Sequence, residues 1–495
     1  MKKTLCIILS VIMLISFAAI SASAYTQPFD RGTLENREFR IPSLITLNDG
    51  SVLAAADLRN TSGSDSPQNL DTLVAKMNGE SWDYSIVNYF GDCDYGTSSK
   101  DSASFIDPAM IQSKETGRIF IVTDAFPTGY GYPNCCKGSG FVEVDGVRRL
   151  ALTNLKSSEK IKDYKFYVGE FTDGFAKIVG SDNYTVDEDY NIYKDGKPVY
   201  MPVINKEETT VQQNVFFSGS DFHVFPTCYL TMKFSDDNGK TWSHIQILSS
   251  QFKKDNEAFL GICPGRGAVT EVNGKERILF AVYDNNNSTE RTNVIYSDDN
   301  GITWNRSNEI DCNISIRTTS EGQIVNCPDG SLMIFMRNKS GNVAYSRSTD
   351  GGATWSKAKK DYYQRCQSSC MMTFINYCRK IDGKDVVIGA FGSKTSAREN
   401  GVIVVGTFNG NNIEWISKYK VNKGFYAYSC LTELENGDIA LLYEDEASHI
   451  TYKEFSLDEN GNIIDESGEI QQMTFWEKLR DSFISFFARL FSLFN

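Results

Sequence analysis

Three features of the chain predict an all-β fold: a six-bladed β-propeller with a β-rich insertion and a short C-terminal amphipathic helix. An eight-residue pattern, S-x-D-x-G-x-T-W, recurs along the sequence. Short apolar runs meet at turn glycines spaced by roughly one repeat unit. These units show hairpin signals and no long helical periodicity, the pattern of propeller blades.

The composition supports a large folded core and narrows the functional classes. Of 495 residues, 41% are hydrophobic and 12% aromatic, unlike a disordered or fibrous chain. A formal charge of -13 argues against a nucleic-acid partner, which would favour a basic surface. The histidines are His223, His244 and His449, and HExxH is absent, so neither a metal centre nor a cofactor is expected.

Residues 1–24 read as a secretory signal peptide. Lys2 and Lys3 precede an apolar run from about Leu5 to Ile20, and Ala22-Ser23-Ala24 offers a small-residue cleavage site. The expected location is therefore secreted and extracellular, with cell-surface association open. Cleavage would also remove Cys6 and leave an odd number of cysteines. At least one is then unpaired within the chain, and buried thiols or a few disulfides both remain open. Cys366-x3-Cys370-x7-Cys378 lacks the second ligand pair of a zinc site.

Residues 25–457 carry the propeller pattern. Its hairpin turns are centred on Gly50, Gly117, Gly274, Gly330, Gly383 and Gly437, and all but Gly117 follow Asp or Asn. Such dipeptides between apolar runs are strong hairpin signals. The gap between Gly117 and Gly274 exceeds one unit by about 100 residues. That excess is assigned to an insertion at 130–222, where Lys165–Val168 and Tyr190–Tyr193 look like strands.

The repeated box occurs at Ser235–Trp242, Ser297–Trp304 and Ser348–Trp355, with a degenerate copy at Asn78–Trp82. Its Asp can accept turn amides and hydroxyls, its Gly permits positive φ, and its Trp anchors the turn in apolar surroundings. The expected role is structural. Gly239-Lys240-Thr241 imitates the end of a phosphate loop, but Phe234 stands where that loop requires glycine.

A linker is expected at 458–473, followed by an amphipathic helix at 474–495. Phe475, Leu479, Phe483, Phe486, Phe487, Leu490 and Phe494 follow helical spacing, with Lys478, Arg480, Asp481 and Arg489 among them. The segment is short and charged for a membrane span. Its expected contacts are a membrane surface, a protein partner or the propeller itself.

The hairpin register predicts a site. Counting back from the turn glycines reaches Arg40, Asp107, Glu321 and Tyr428; counting forward reaches Arg59, Arg337 and Glu444. One strand, roughly 20–30 Å at ~3.3 Å per residue, separates each from its turn. All should therefore lie on the face opposite the hairpins, as a ring of Arg, Asp, Glu and Tyr able to bind an anion.

Phe39-Arg40-Ile41-Pro42 followed by several boxes resembles the bacterial exo-sialidases, from about Arg37 to Glu446. The resemblance implies removal of terminal sialic acid from sialylated glycans. It implies a three-arginine clamp of Arg40, Arg337 and Arg398 on the sugar carboxylate, an acid/base at Asp65, and Tyr428 as nucleophile with Glu321 beside it. Arg59 and Asp107 match residues near the substituents around C4, and Glu444 matches an acid that braces the first arginine. Tyr426 is the competing nucleophile.

These residue types suit the chemistry. Planar guanidinium groups grip a carboxylate through bidentate, charge-assisted bonds. Sialidases with a Tyr nucleophile are an exception among retaining glycosidases. A neutral phenol brings no second anion against the substrate carboxylate, but its pKa near ~10 demands a base. The leading expectation is a hydrolytic exo-α-sialidase. The alternatives are trans-sialidation, intramolecular trans-sialidation, and a sialic-acid-binding lectin without turnover. Taken singly, each residue would read as a surface ion pair or a packing group.

Overall fold

The computed structural model describes residues 27–30, 37–60, 65, 69–89, 102–203, 209–285, 289–410, 412–446 and 449–465. The expected signal peptide and the expected helix at 474–495 lie outside the described residues.

Among the described residues, the strands form six successive four-stranded antiparallel meanders, a separate eight-stranded sheet and a two-stranded ribbon of Tyr200–Pro202 with Thr210–Gln212. The first meander runs Glu38–Thr46, Val52–Arg59, Leu70–Asn78 and Ser81–Asn88. The second starts with Ser104–Gln112 and Ile119–Phe126 and resumes with Tyr229–Ser235 and Gln246–Ile247. The third has a broken first strand, Leu260–Ile262 and Ala268–Val272, then Lys275–Asp284, Arg291–Ser297 and Asn305–Arg306, and the Gly265–Arg266 stretch in the break pairs in parallel with Ser104–Gln112. The fourth comprises Thr319–Asn326, Leu332–Asn338, Asn342–Ser348 and Lys359–Arg365. The fifth comprises Thr373–Ile381, Lys384–Gly392, Gly401–Asn409 and Asn412–Lys420. The sixth comprises Ser429–Glu433, Ile439–Glu446, His449–Leu457 and Ile463–Ile464.

Each predicted hairpin glycine joins the first and second strands of its meander, at φ between 72° and 83°. The first strand of each meander packs against that of the next, and Ser429–Glu433 returns to Glu38–Thr46. The circuit is reinforced at the chain's start, where Phe29 bridges to Ile450 and Gln27 Nε2 donates to the Tyr452 carbonyl at 3.2 Å. Because neighbours cover both faces, inner strands such as Val52–Arg59 are buried throughout. Outer strands such as Asn412–Lys420 instead alternate between exposed and partly buried positions.

The separate sheet has eight strands, from Phe141–Val144 to His223–Val224, and all of them fall in the chain between Phe126 and Tyr229. Its core residues Ile178, Val186, Ile192, Phe216 and Phe217 join Phe105, Ala125 and Tyr229 of the second meander in one cluster. The strand expected at Tyr190–Tyr193 begins instead at Ile192, because Tyr190 sits in a turn at φ 64°.

Each full box turns the chain between third and fourth strands. In the first, Ser235 Oγ donates to Asp237 at 2.8 Å, and Asp237 accepts the Thr241 amide at 2.9 Å and its hydroxyl at 2.6 Å. The copies at Asp299 and Asp350 repeat this pattern. The boxes also tie neighbouring meanders together at the hairpin end. Asn238 donates to Asp49 at 3.0 Å, Thr116 to Asn300 at 3.0 Å, and Arg277 to the Gly351 carbonyl at 3.0 Å.

The ten described cysteines are all free thiols. The stretch expected as linker from residue 458 contains the sixth meander's last strand, because Asp458 accepts the Asn462 amide at 2.8 Å and turns Ile463–Ile464 back onto Ser456–Leu457.

Candidate functional site

The site is built at the starts of first strands and the ends of second strands. Three first strands depart from regular register where the candidate residues lie: between Arg40 and Ser43, between Ile106 and Ala109, and between Thr319 and Gly322. Bulges re-aim side chains beside functional sites. Here they coincide with positive φ at Ile41 (58°) and Asp107 (64°), conformations disfavoured for non-glycine residues and most of all for a β-branched one. The strained Ile41 is held by its amide, which donates to Glu444 at 2.9 Å.

Arg40 connects two carboxylates. Its Nε and Nη2 donate to Glu444 at 3.1 and 3.3 Å, and its Nη1 to Asp65 at 2.7 Å. Burial alone would lower the Arg40 pKa, but Glu444 and Asp65 overcome it and raise the value. Arg59 is fully buried and pairs with Asp57 at 2.8 Å and with Asp65 at 2.7 Å. Partial burial opposes ionisation of Asp65, yet Arg59 and Arg40 outweigh it and hold the carboxyl below its usual range.

Tyr428, Glu321 and Arg337 form a second cluster. The Tyr428 hydroxyl donates to Glu321 at 2.6 Å, close enough for proton transfer. Arg337 Nη1 donates to both the Tyr428 oxygen at 3.0 Å and Glu321 at 2.8 Å. Burial and the Glu321 charge push the phenol pKa well up, against the pull of Arg337. Arg40 and Arg398 lie over the Tyr428 ring, 5.6 and 5.4 Å from its centroid. Arg398 is anchored by a 3.1 Å bond to the Ser369 carbonyl. The competitor Tyr426 is turned into the core, stacked on Tyr443 at 5.1 Å.

These groups surround a cavity of about 360 Å³ lined by Asp65, Asp107, Glu321, Arg337, Arg398 and Tyr428. Arg40 and Arg59 reach its edge through Asp65, and Glu444 supports Arg40 from behind. The nine candidate residues therefore meet at one place. A larger cavity of about 910 Å³, near the hairpin turns, contains none of them.

The cavity also holds residues not singled out from sequence: Asp124, Phe126, Tyr132, Phe259, Tyr283 and Glu290. Asp57 was missed beside it, although its Oδ1 accepts the Asp107 amide at 2.9 Å. Asp57 and Asp124 lie seven residues after Gly50 and Gly117, the offset that located Arg337 and Glu444. Burial raises the Asp57 pKa to about 7 against the pull of Arg59. Burial and the neighbouring carboxylates Asp57 and Asp124 also raise Asp107. The arrangement joins a strongly cationic rim to a phenol–carboxylate pair, with buried acids alongside. It can bind a small anion and move a proton at the phenol.

The chain is similar to known proteins over most of its length. Residues 181–443 match the family model described as a BNR repeat-like domain. Anhydrosialidase of Macrobdella decora is 34% identical over 83% of this chain and 58% of its own length. Sialidase B of Streptococcus pneumoniae is 31% identical over 82% of this chain and 61% of its own. The chain thus spans about three fifths of the length of these two relatives. A crystal structure of the intramolecular trans-sialidase from Ruminococcus gnavus, in complex with oseltamivir carboxylate, is 34% identical with a TM-score of 0.77. That similarity covers 88% of this chain and 98% of the other.

Proposed function

The chain belongs to the bacterial sialidase family, and from that premise we propose a secreted, retaining enzyme that removes terminal sialic acid from sialylated glycans. The reading places residues 1–24 in a signal peptide and the site on a six-bladed propeller. The closed circuit of first strands supports the propeller. The carrying observation for the chemistry is a single cavity that combines arginines with Tyr428 bonded to Glu321 at 2.6 Å.

In this mechanism Arg40, Arg337 and Arg398 grip the sugar carboxylate. The Tyr428 oxygen attacks the anomeric carbon while Glu321 takes its proton, and Asp65 protonates the departing glycosidic oxygen. The glycosyl–tyrosine bond then breaks as a second oxygen nucleophile attacks and gives its proton to Asp65. Tyr428 recovers its proton from Glu321. Two displacements retain configuration. The incoming carboxylate competes with Asp65 for Arg40, which relaxes the hold that keeps Asp65 ionised and lets it carry the proton it must donate.

A specific observation favours a second reading, in which Tyr428 attacks as before but the second nucleophile is a hydroxyl of the sugar itself and the product is an anhydro sialic acid. Relatives with 34% identity carry the names anhydrosialidase and intramolecular trans-sialidase.

Incubation with sialyl-lactose, followed by identification of the released sugar, separates these outcomes. Free sialic acid supports hydrolysis, and an anhydro product supports intramolecular transfer. Binding without turnover would overturn the enzyme reading in favour of a lectin.

A further inference from the structure

Residues Pro264–Gly267, in the break of the third meander's first strand, are held by every other meander. Ser43 Oγ of the first donates to the Gly265 carbonyl. The Gly267 amide donates to the Met110 carbonyl of the second at 3.0 Å. Gln323 Nε2 of the fourth donates to the Pro264 carbonyl at 2.9 Å. Arg266 Nη1 donates to the Leu431 carbonyl of the sixth at 3.1 Å. Ser43, Met110, Gln323 and Leu431 all belong to first strands, so the segment they share lies on the axis of the circuit. The fifth meander meets it by packing. Met371, just before Thr373–Ile381, has its terminal methyl 3.3 Å from where a Cβ on Gly265 would stand, and Gln323 Nε2 is equally near that point. Gly265 is also at φ 102°, where a side chain is strained.

This plug has a side toward each cavity. Arg266 and Gly267 line the larger one, of about 910 Å³. On the other side Gly265 meets Met371, which is buried in one apolar cluster with Ile41, Cys370, Ala427 and Tyr428. Tyr428 and Ile41 line the site cavity. The path from the axis to the nucleophile is therefore Gly265, Met371, Tyr428. Methionine is unbranched and adaptable, so what lies beneath it decides where it sits. A bonded backbone without a side chain gives it a fixed seat.

The inference rests on the sialidase reading, in which the Tyr428 oxygen attacks. That oxygen has little freedom, since it lies 2.6 Å from Glu321 and 3.0 Å from Arg337 Nη1. We propose that Met371 is a positioning residue, braced by Gly265, that holds the Tyr428 ring so that its oxygen keeps this distance from Glu321. A misplacement of about 1 Å in such a group can cost about 10²-fold in rate.

The test measures kcat, KM and the rate at which a 3-fluoro sialosyl fluoride labels Tyr428, in folded variants of the full chain. Met371→Ala should lower kcat and the labelling rate by about 30-fold. Its KM should change by less than about threefold, because the arginines that grip the carboxylate are untouched. Met371→Leu, of similar volume, should keep both rates within about threefold of wild type. If Met371→Ala does not fold, Gly265→Ala, whose methyl displaces Met371, carries the same expected losses and is judged by the same outcomes. Two results overturn the proposal while the sialidase reading stands. One is an alanine variant whose thermal midpoint falls but whose kcat and labelling rate stay within about threefold of wild type. The other is a Met371→Leu protein as impaired in these rates as the alanine variant. Absence of both turnover and labelling in the wild type removes the sialidase reading, and this inference with it.

Discussion

Tyr428 differs from other buried tyrosines in what its oxygen meets. Tyr229 spends its hydroxyl on the Phe225 carbonyl at 2.9 Å, and Tyr426 packs its ring on Tyr443. Tyr428 instead faces a carboxylate and a guanidinium. Tyr428→Phe keeps the ring and its packing, so it should fold with an unchanged circular dichroism spectrum and lose about 10³-fold or more in kcat. A 3-fluoro sialosyl fluoride should label the wild-type peptide containing Tyr428, as read by mass spectrometry of a digest. Label on Asp65 or Glu321 would displace Tyr428 from its role. A second residue-scale prediction concerns Asp57, whose pKa rises from 3.8 to about 7. The folded protein keeps this proton to higher pH than the unfolded chain does. Its contribution to stability is therefore full below about pH 4 and is lost as pH rises through about 7. Denaturant midpoints measured from pH 4 to 8 should fall less steeply for Asp57→Asn than for wild type. Tyr428 and Glu321 were legible from sequence because each sits a fixed count before its hairpin glycine. Arg398 and Asp65 lie in segments without such a count, and only the family resemblance located them.

At the scale of elements, a strand's register does two jobs. It brings Asp57, Asp124, Arg337 and Glu444 to one end of their meanders, each seven residues past its turn glycine. It sends the boxes to the other end, where they link adjacent hairpins. Asp350 illustrates the separation. It accepts bonds from Ser348, from the Thr354 amide and from the Thr354 hydroxyl, at 2.7, 2.9 and 2.6 Å, and none of its partners lines the site cavity. Asp350→Ala should destabilise the protein by about 1–2 kcal/mol in denaturant unfolding and leave kcat/KM unchanged. A folded variant with normal stability and impaired turnover would contradict this division of roles. The same register rule, applied to every turn glycine, would have found Asp57 and Asp124. It could not have found Tyr132 or Phe259. Tyr132 lies in irregular chain outside the strands, and Phe259 just precedes the broken first strand of the third meander. Their approach, edge to face at 4.8 Å, is set by packing between elements far apart in sequence.

For the whole molecule, the order in which the chain closes its circuit separates the part the site needs from the C-terminal remainder. Ser429–Glu433 packs against Glu38–Thr46, Phe29 bridges to Ile450, and Ile463–Ile464 completes the sixth sheet on Ser456–Leu457. Every residue of the candidate site precedes that last strand, and the final fixed contact among the described residues is Tyr419 donating to Asp465 at 2.8 Å. The segment read from sequence as an amphipathic helix, 474–495, begins after the circuit is complete. Its apolar positions, from Phe475 to Phe494, have no counterpart in the repeat pattern of the six meanders. A membrane surface, a protein partner or the propeller itself are the contacts open to them, and we propose that they are dispensable for turnover. Truncation after Met473 should leave the thermal unfolding midpoint and the turnover of a small soluble sialoside as in the full chain. Retention on sialylated cell surfaces or on lipid vesicles should fall, as measured by co-sedimentation. If truncation instead lowers the unfolding midpoint by several degrees, the segment contributes to the fold, because a loss of ~1 kcal/mol already shifts the midpoint of a chain this large by about 2 °C or less. The result would then place those phenylalanines against the sheets, and the surface-association reading would fail with them.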